Sequence, residues 1–133
     1  MSYKDISAVV VAMNIMYETE NQLRAVLKRH GLSMNEWLVL KIVYLEYAVS
    51  PSEVAAYLNM QRASVTRYVE NLSNLKLLDR RYGTEDRRTV GLIVTPAGKK
   101  LCKNIFTSYP KVVSNVSKRL DDEDRKLWLS MMR

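Results

Sequence analysis

The chain has 133 residues, 47% hydrophobic and 26% charged, a balance that excludes a disordered segment and is enough for one domain with a substantial core. It carries 21 Lys and Arg against 14 Asp and Glu, a formal net charge of +7, which favours partners of negative charge. Its single cysteine, Cys102, excludes an intramolecular disulfide framework, and no apolar run reaches the roughly 18 residues of a membrane-spanning helix.

With only 4 Gly and 3 Pro, breakers are scarce and most of the chain is expected to be helical. From Tyr3 to Arg29, Ile6, Val9, Val10, Met13, Met16, Tyr17, Leu23 and Leu27 recur at spacings of three and four. That is one apolar helical stripe, interrupted by Glu20. Gly31 stops this helix, with His30 at its C-cap. A stripe of this length exceeds what a small module covers, so a second chain is expected against it. The stretch MSYKDISAVVVAMNIMYETENQ lacks a basic leader region, so no secretory signal is expected and the cytoplasm is the expected location.

Ser33-Met34-Asn35-Glu36 has the S-x-x-E form of a capping box. The helix it opens carries Trp37, Leu38, Leu40, Ile42, Val43 and Leu45, apolar nearly all round, and belongs in the middle of a domain. Ser50-Pro51-Ser52-Glu53 repeats the device, with Pro51 at the first helical position, where its missing N–H costs nothing. Val54, Ala55 and Leu58 give that short helix an inward face. In the next helix, Gln61 to Lys76, Val65, Val69 and Leu72 fall on one side, and Arg62, Ala63, Thr66, Arg67 and Glu70 on the other.

Leu77–Tyr82 and Thr89–Val94 read as two strands joined by a loop over residues 83–88. Thr95 caps a new helix at Pro96. Leu101, Ile105, Phe106, Tyr109, Val112, Val113 and Val116 continue the helical period, with a bend expected at Pro110. A last helix from about Asp122 to Met132 has acidic residues in its first turn, where the helix dipole favours them. The fold class is therefore mainly α with a small β-hairpin wing (α+β). A winged helix-turn-helix at about residues 33–98 is flanked by dimerisation helices at about 1–30 and 99–133.

That module sets one helix in the DNA major groove and a hairpin beside it. Residues 61–100 hold 9 Lys and Arg against 4 Asp and Glu, so the positive excess peaks on the recognition helix and wing, as phosphate contact requires. Gln61, Arg62, Ser64, Thr66 and Arg67 lie on the N-terminal and outward part of the recognition helix. Arg can take two acceptors of guanine and Gln can pair with adenine, whereas Ser64 and Thr66 suit phosphates or a thymine methyl. In the wing, Arg87 and Arg88 suit a narrow minor groove. Arg80 and Arg81 alternate across a strand, so one of them faces DNA; Arg81 is assigned to the wing contact.

The residues Leu32-Ser33, Glu36-Trp37, SPSEVAAYL, ASVTRYVENLSNLKLLDRR and EDRRTVGLIVTPAGKKL resemble the MarR family of bacterial winged-helix transcription factors, across essentially the whole chain. The resemblance implies a homodimer built by the flanking helices and a two-fold DNA operator. It also implies a supporting role for Asp86, pairing with a wing arginine and aiming it. A small aromatic effector is implied too, in a pocket that Tyr17, Tyr44, Tyr47, Tyr109 and Trp37 would line. Aromatics at helical spacing are more often core.

The expected function is a homodimeric, sequence-specific DNA-binding regulator, most simply a repressor. The alternative is a winged-helix adaptor whose basic face meets an acidic protein. Nothing points to an enzyme: there is no Gly-rich phosphate loop, no nucleophile–base motif and no metal-ligand spacing. No cofactor and no membrane partner are expected, and one His with one Cys argues against a metal site. Cys102 reads as a buried apolar cysteine rather than an oxidant sensor.

Overall fold

The computed structural model describes residues 2–83 and 90–132. In chain order they form α1 (Tyr3–Arg29), α2 (Met34–Tyr44), α3 (Pro51–Leu58), α4 (Arg62–Asn74), β1 (Leu78–Tyr82), β2 (Val90–Val94), α5 (Pro96–Thr107), α6 (Tyr109–Arg119) and α7 (Asp122–Met131). Two compact units result. Gly31–Phe106 make one, and the residues up to His30 together with those from Thr107 make the other. Mostly helical with one antiparallel hairpin, the chain has the winged-helix fold class that its sequence implies.

In the first unit the caps decide where helices begin. Ser33 Oγ accepts the N–H of Glu36 at 3.2 Å, and Glu36 Oε1 accepts the N–H of Ser33 at 2.9 Å, so the first capping box is complete. The second is half complete. Ser50 Oγ accepts the Glu53 N–H at 3.2 Å, but Glu53 Oε2 takes the N–H of Val49 at 3.1 Å. Val49 in turn accepts the Leu92 N–H on β2 at 2.7 Å. Glu53 therefore fixes the backbone segment on which the hairpin leans, while Ser50 caps α3.

α2 is the central helix of this unit, with Trp37, Val39, Leu40, Ile42 and Val43 buried. Trp37 meets Phe106 of α5 edge to face at a centroid distance of 5.3 Å, a favoured aromatic geometry. Lys41 on the same helix is half-buried, and that burial pushes its ammonium pKa down. Leu45, expected inside, is the exposed C-cap.

α4 follows a left-handed Asn59 (φ 53°), a conformation that Asn tolerates. It buries Val65, Val69 and Leu72. It ends in a Schellman turn: Lys76 N–H reaches Ser73 O at 3.0 Å and Leu77 N–H reaches Leu72 O at 2.9 Å, with Lys76 at φ 64°. The hairpin then pairs Leu78 with Val94, Arg80 with Leu92 and Arg81 with Gly91. Thr95 Oγ1 donates to Lys76 O at 2.6 Å and accepts the Gly98 N–H at 3.0 Å. One hydroxyl thus caps α5 and ties it to the end of α4.

In the second unit, Ile15 and Val26 of α1 pack with Val112 and Val116 of α6, its C-cap Leu120, and Trp128 of α7. The expected bend at Pro110 is a break. α5 ends at Thr107 and α6 begins at Tyr109, placing Pro110 in a first turn that lacks a use for its N–H. Arg125 closes the α6–α7 corner, donating to Ser117 O at 2.7 Å and Leu120 O at 2.8 Å. The apolar stripe of α1 is largely uncovered in the single chain: Val9 is 58%, Met13 63% and Tyr17 66% exposed. Gly31 has φ 73° and His30 is the C-cap of α1, as expected.

Candidate nucleic-acid interface

Three buried residues of α4 seat the helix on the winged unit and leave its other faces outward. Gln61, Arg62, Thr66 and Arg67 are exposed, and Ser64 is half-buried. At about 100° per residue, Arg67 stands farthest from the buried row, with Thr66 toward one flank and Tyr68 toward the other. The Thr66 hydroxyl donates to Arg62 O at 3.0 Å, which uses its proton and leaves a methyl and an acceptor oxygen to a partner. The Arg67 guanidinium lies 5.2 Å from the Tyr68 ring centroid and donates to Tyr68 Oη at 3.5 Å, so it is parked rather than free.

The hairpin adds one arginine to this face. Leu78, Arg80 and Tyr82 share a side of β1, and Leu78 is buried against the core. Arg80 and Tyr82 consequently turn toward α4, where they line a shallow cleft of about 190 Å³ with Pro51, Arg62, Thr66 and Val69. The arginine that joins the recognition helix is therefore Arg80. Arg81, assigned from the sequence, sits opposite Gly91 on the other face of the strand. The sequence shows the alternation but not its phase, which burial of Leu78 sets. The wing residues Asp86, Arg87 and Arg88 lie outside the described residues.

Two polar residues of this face were not singled out in the sequence. Asn35, in the first turn of α2, donates through Nδ2 to Tyr68 Oη at 2.9 Å. Hydrogen bonds from Arg67 and then Asn35 hold the Tyr68 phenol below its usual pKa. Asn35 and Tyr68 are 33 positions apart, and no local pattern links them.

The other sequence candidates fall into structural roles. Cys102 is fully buried, and burial pushes its thiol up to about 12. The thiolate is therefore scarce at neutral pH. We expect Cys102 to resist alkylation by iodoacetamide at pH 8 in the folded chain and to react fully in denaturant; labelling at the same rate in both states would refute its burial. An acid raised by folding contributes stability that is present below the unfolded pKa, near 9, and is lost as pH climbs toward 12. Trp37 is core. Tyr44 rests on Phe106, with centroids 5.8 Å apart, while Tyr47 stacks on exposed Tyr57 at 5.7 Å. Among the described residues there is no group of three His, Cys, Asp or Glu able to hold a metal, and no helix long and apolar enough to cross a membrane.

Comparison with known proteins agrees with this fold. The family model described as MarR family matches residues 30–89, from the end of α1 into the wing. The HTH-type transcriptional repressor YetL of Bacillus subtilis is 25% identical over 104 residues, 77% of this chain, and the chain spans 62% of YetL's length. The HTH-type transcriptional regulator MhqR of the same species is 21% identical over 133 residues, covering 100% of this chain and 92% of MhqR. Among solved structures, a mutant MarR of Escherichia coli complexed with operator DNA superposes with a TM-score of 0.75 at 15% identity, covering 97% of this chain and 93% of that one. The similarity to the MarR family thus lies over the winged module, residues 30–89.

Proposed function

We propose that the chain is a homodimeric, sequence-specific DNA-binding transcriptional regulator that acts as a repressor on a palindromic operator in the bacterial cytoplasm. The observation that carries this reading is the division of α4: a buried row of Val65, Val69 and Leu72, and an outer face presenting Arg62, Thr66 and Arg67 beside Arg80. The positive excess of residues 61–100 supports it. So do the likeness to YetL, a transcriptional repressor, and the operator DNA bound by the mutant MarR. In this reading Gln61, Arg62, Ser64, Thr66 and Arg67 meet DNA through the recognition helix and Arg80 joins them. The wing supplies Arg87 and Arg88, aimed by Asp86.

The uncovered stripe of α1 supports a dimer. Ile6, Val9, Val10, Met13, Met16 and Tyr17 are all exposed in the single chain, a patch that a second copy would cover. The helical unit then serves as the dimerisation layer. A small aromatic effector completes the proposal. Its counterpart in the helical unit is a groove of about 570 Å³ between α1 and α6, with Val26 and Val112 on its floor and Arg29 and Lys111 at its rim. An effector acts only if it binds the DNA-competent and incompetent dimers differently.

Selection of random duplex DNA by the purified chain at near-physiological salt tests the reading. The expected result is an enriched inverted repeat with half-sites about one helical turn apart; a folded dimer that enriches nothing would overturn it. On the enriched duplex, Arg67→Ala is expected to weaken binding by about tenfold to a hundredfold, the worth of one good base contact. Binding to a scrambled duplex should fall much less. Equal losses on the two duplexes would remove Arg67 as a base reader.

A further inference from the structure

The Tyr68 hydroxyl is held by two donors and gives its own proton to no described residue. Asn35 Nδ2 donates to its oxygen at 2.9 Å from α2, and Arg67 Nη2 donates at 3.5 Å from the preceding position of α4. A phenolic oxygen that accepts two hydrogen bonds has one O–H left to donate. Donors on the oxygen polarise that O–H and strengthen it as a donor, in line with the lowered phenol pKa. Both neighbours carry N–H groups and neither is an acceptor for the proton as they stand. An anion is the partner this arrangement suits.

Position on the helix says which anion. The major groove is about 12 Å wide and a helix with side chains is about as broad. The outermost row of a docked helix therefore meets base edges, while its two flanks meet the two phosphate strands. Arg67 occupies the outermost row. Arg62 and Thr66 lie on the flank beside β1 with Arg80, and Tyr68 lies on the opposite flank beside α2 with Asn35.

We propose that Tyr68 is a phosphate-binding residue, its hydroxyl donating to a backbone phosphate of duplex DNA, with Asn35 and Arg67 fixing its direction. The inference rests on the DNA-binding reading above and extends it to Tyr68, one turn beyond Ser64 on the flank of α4 opposite Arg62 and Thr66. A contact of this kind positions the helix without reading sequence. It also gives the Arg67–Tyr68 stack a use: the same contact that anchors the flank holds the base-reading guanidinium on its ring.

The test is Tyr68→Phe, which removes one oxygen and keeps the ring. Titrations would use the full-length chain, its selected duplex, a scrambled duplex, and selected duplexes carrying a neutral methylphosphonate at one phosphate at a time. A hydrogen bond to a charged group predicts a loss of roughly tenfold on the selected and scrambled duplexes alike. The salt slope stays that of the wild type, because the lost donor is neutral. At one methylphosphonate position the wild type falls to the level of Tyr68→Phe, and the variant loses nothing further. Asn35→Ala should give a smaller loss of the same uniform kind.

Wild-type affinity of Tyr68→Phe on both duplexes would overturn the proposal, as would a loss confined to the selected duplex. Either leaves the regulator reading standing. Failure of the wild-type chain to bind any duplex would overturn both.

Discussion

Gly98→Ala is expected to lower the thermal unfolding midpoint by roughly 10 °C. A Cβ at this position would press into the carbonyl oxygen of Leu77 and stand 2.8 Å from Val94 Cγ1 and 3.1 Å from Leu77 C. The backbone cannot give way easily. Leu77 O accepts the Thr95 N–H at 3.1 Å, and Thr95 Oγ1 holds the neighbouring carbonyl of Lys76. Leu77 and Val94 are themselves buried. Overpacking of this kind costs about 3 kcal/mol at the upper end of its range. Calorimetry or circular dichroism checks it; a midpoint within about 2 °C of the wild type would mean that α5 can slide away from the turn. The glycine of T-P-A-G is thus required by the close approach of α5 to the end of the recognition helix, at a φ that any residue could adopt.

Trp37→Ala is expected to remove about 3–5 kcal/mol, a large share of the 5–15 kcal/mol typical of a whole domain. Trp37 is 0% exposed and meets Phe106 of α5 edge to face. Removing the indole leaves a cavity in the core that its surroundings cannot fill without moving helices. The edge-to-face stack is lost as well. The change should appear as a lower urea midpoint with an unaltered slope. A loss under about 1 kcal/mol would show that the site collapses, and that α5 is less firmly seated than the geometry indicates. Trp37→Phe, which keeps an aromatic ring, should retain more than half of the lost stability.

What the sequence made legible was whatever depends on near neighbours. The capping box at Ser33 and Glu36, the inward row Val65, Val69 and Leu72, and the Thr95 cap are all local patterns, and each is present as read. Readings that needed a third element fared less well. Glu53 leaves the Ser50 N–H for Val49 because the hairpin draws Val49 to Leu92. Arg80 rather than Arg81 turns to α4 because the core claims Leu78. α5 breaks at Ser108, where the spacing suggested only a bend. The Asn35–Tyr68 bond was invisible for the same reason. A hydrogen bond across 33 positions leaves no trace in spacing or composition.

The helical unit is discontinuous in the chain, and this sets an order on events at the ribosome. α1 emerges first, but the helices that bury Ile15 and Val26 follow only after all of Gly31–Phe106 has been made. At roughly 5–20 residues per second, α1 waits several seconds with neither its inner nor its outer apolar row covered. The winged unit is continuous in the chain, and all of its residues are made within that interval. Nascent α1 is therefore the segment most exposed to chaperones, and in a polysome it lies close to other copies of itself. Synthesis on a shared message would shorten the search for a second subunit.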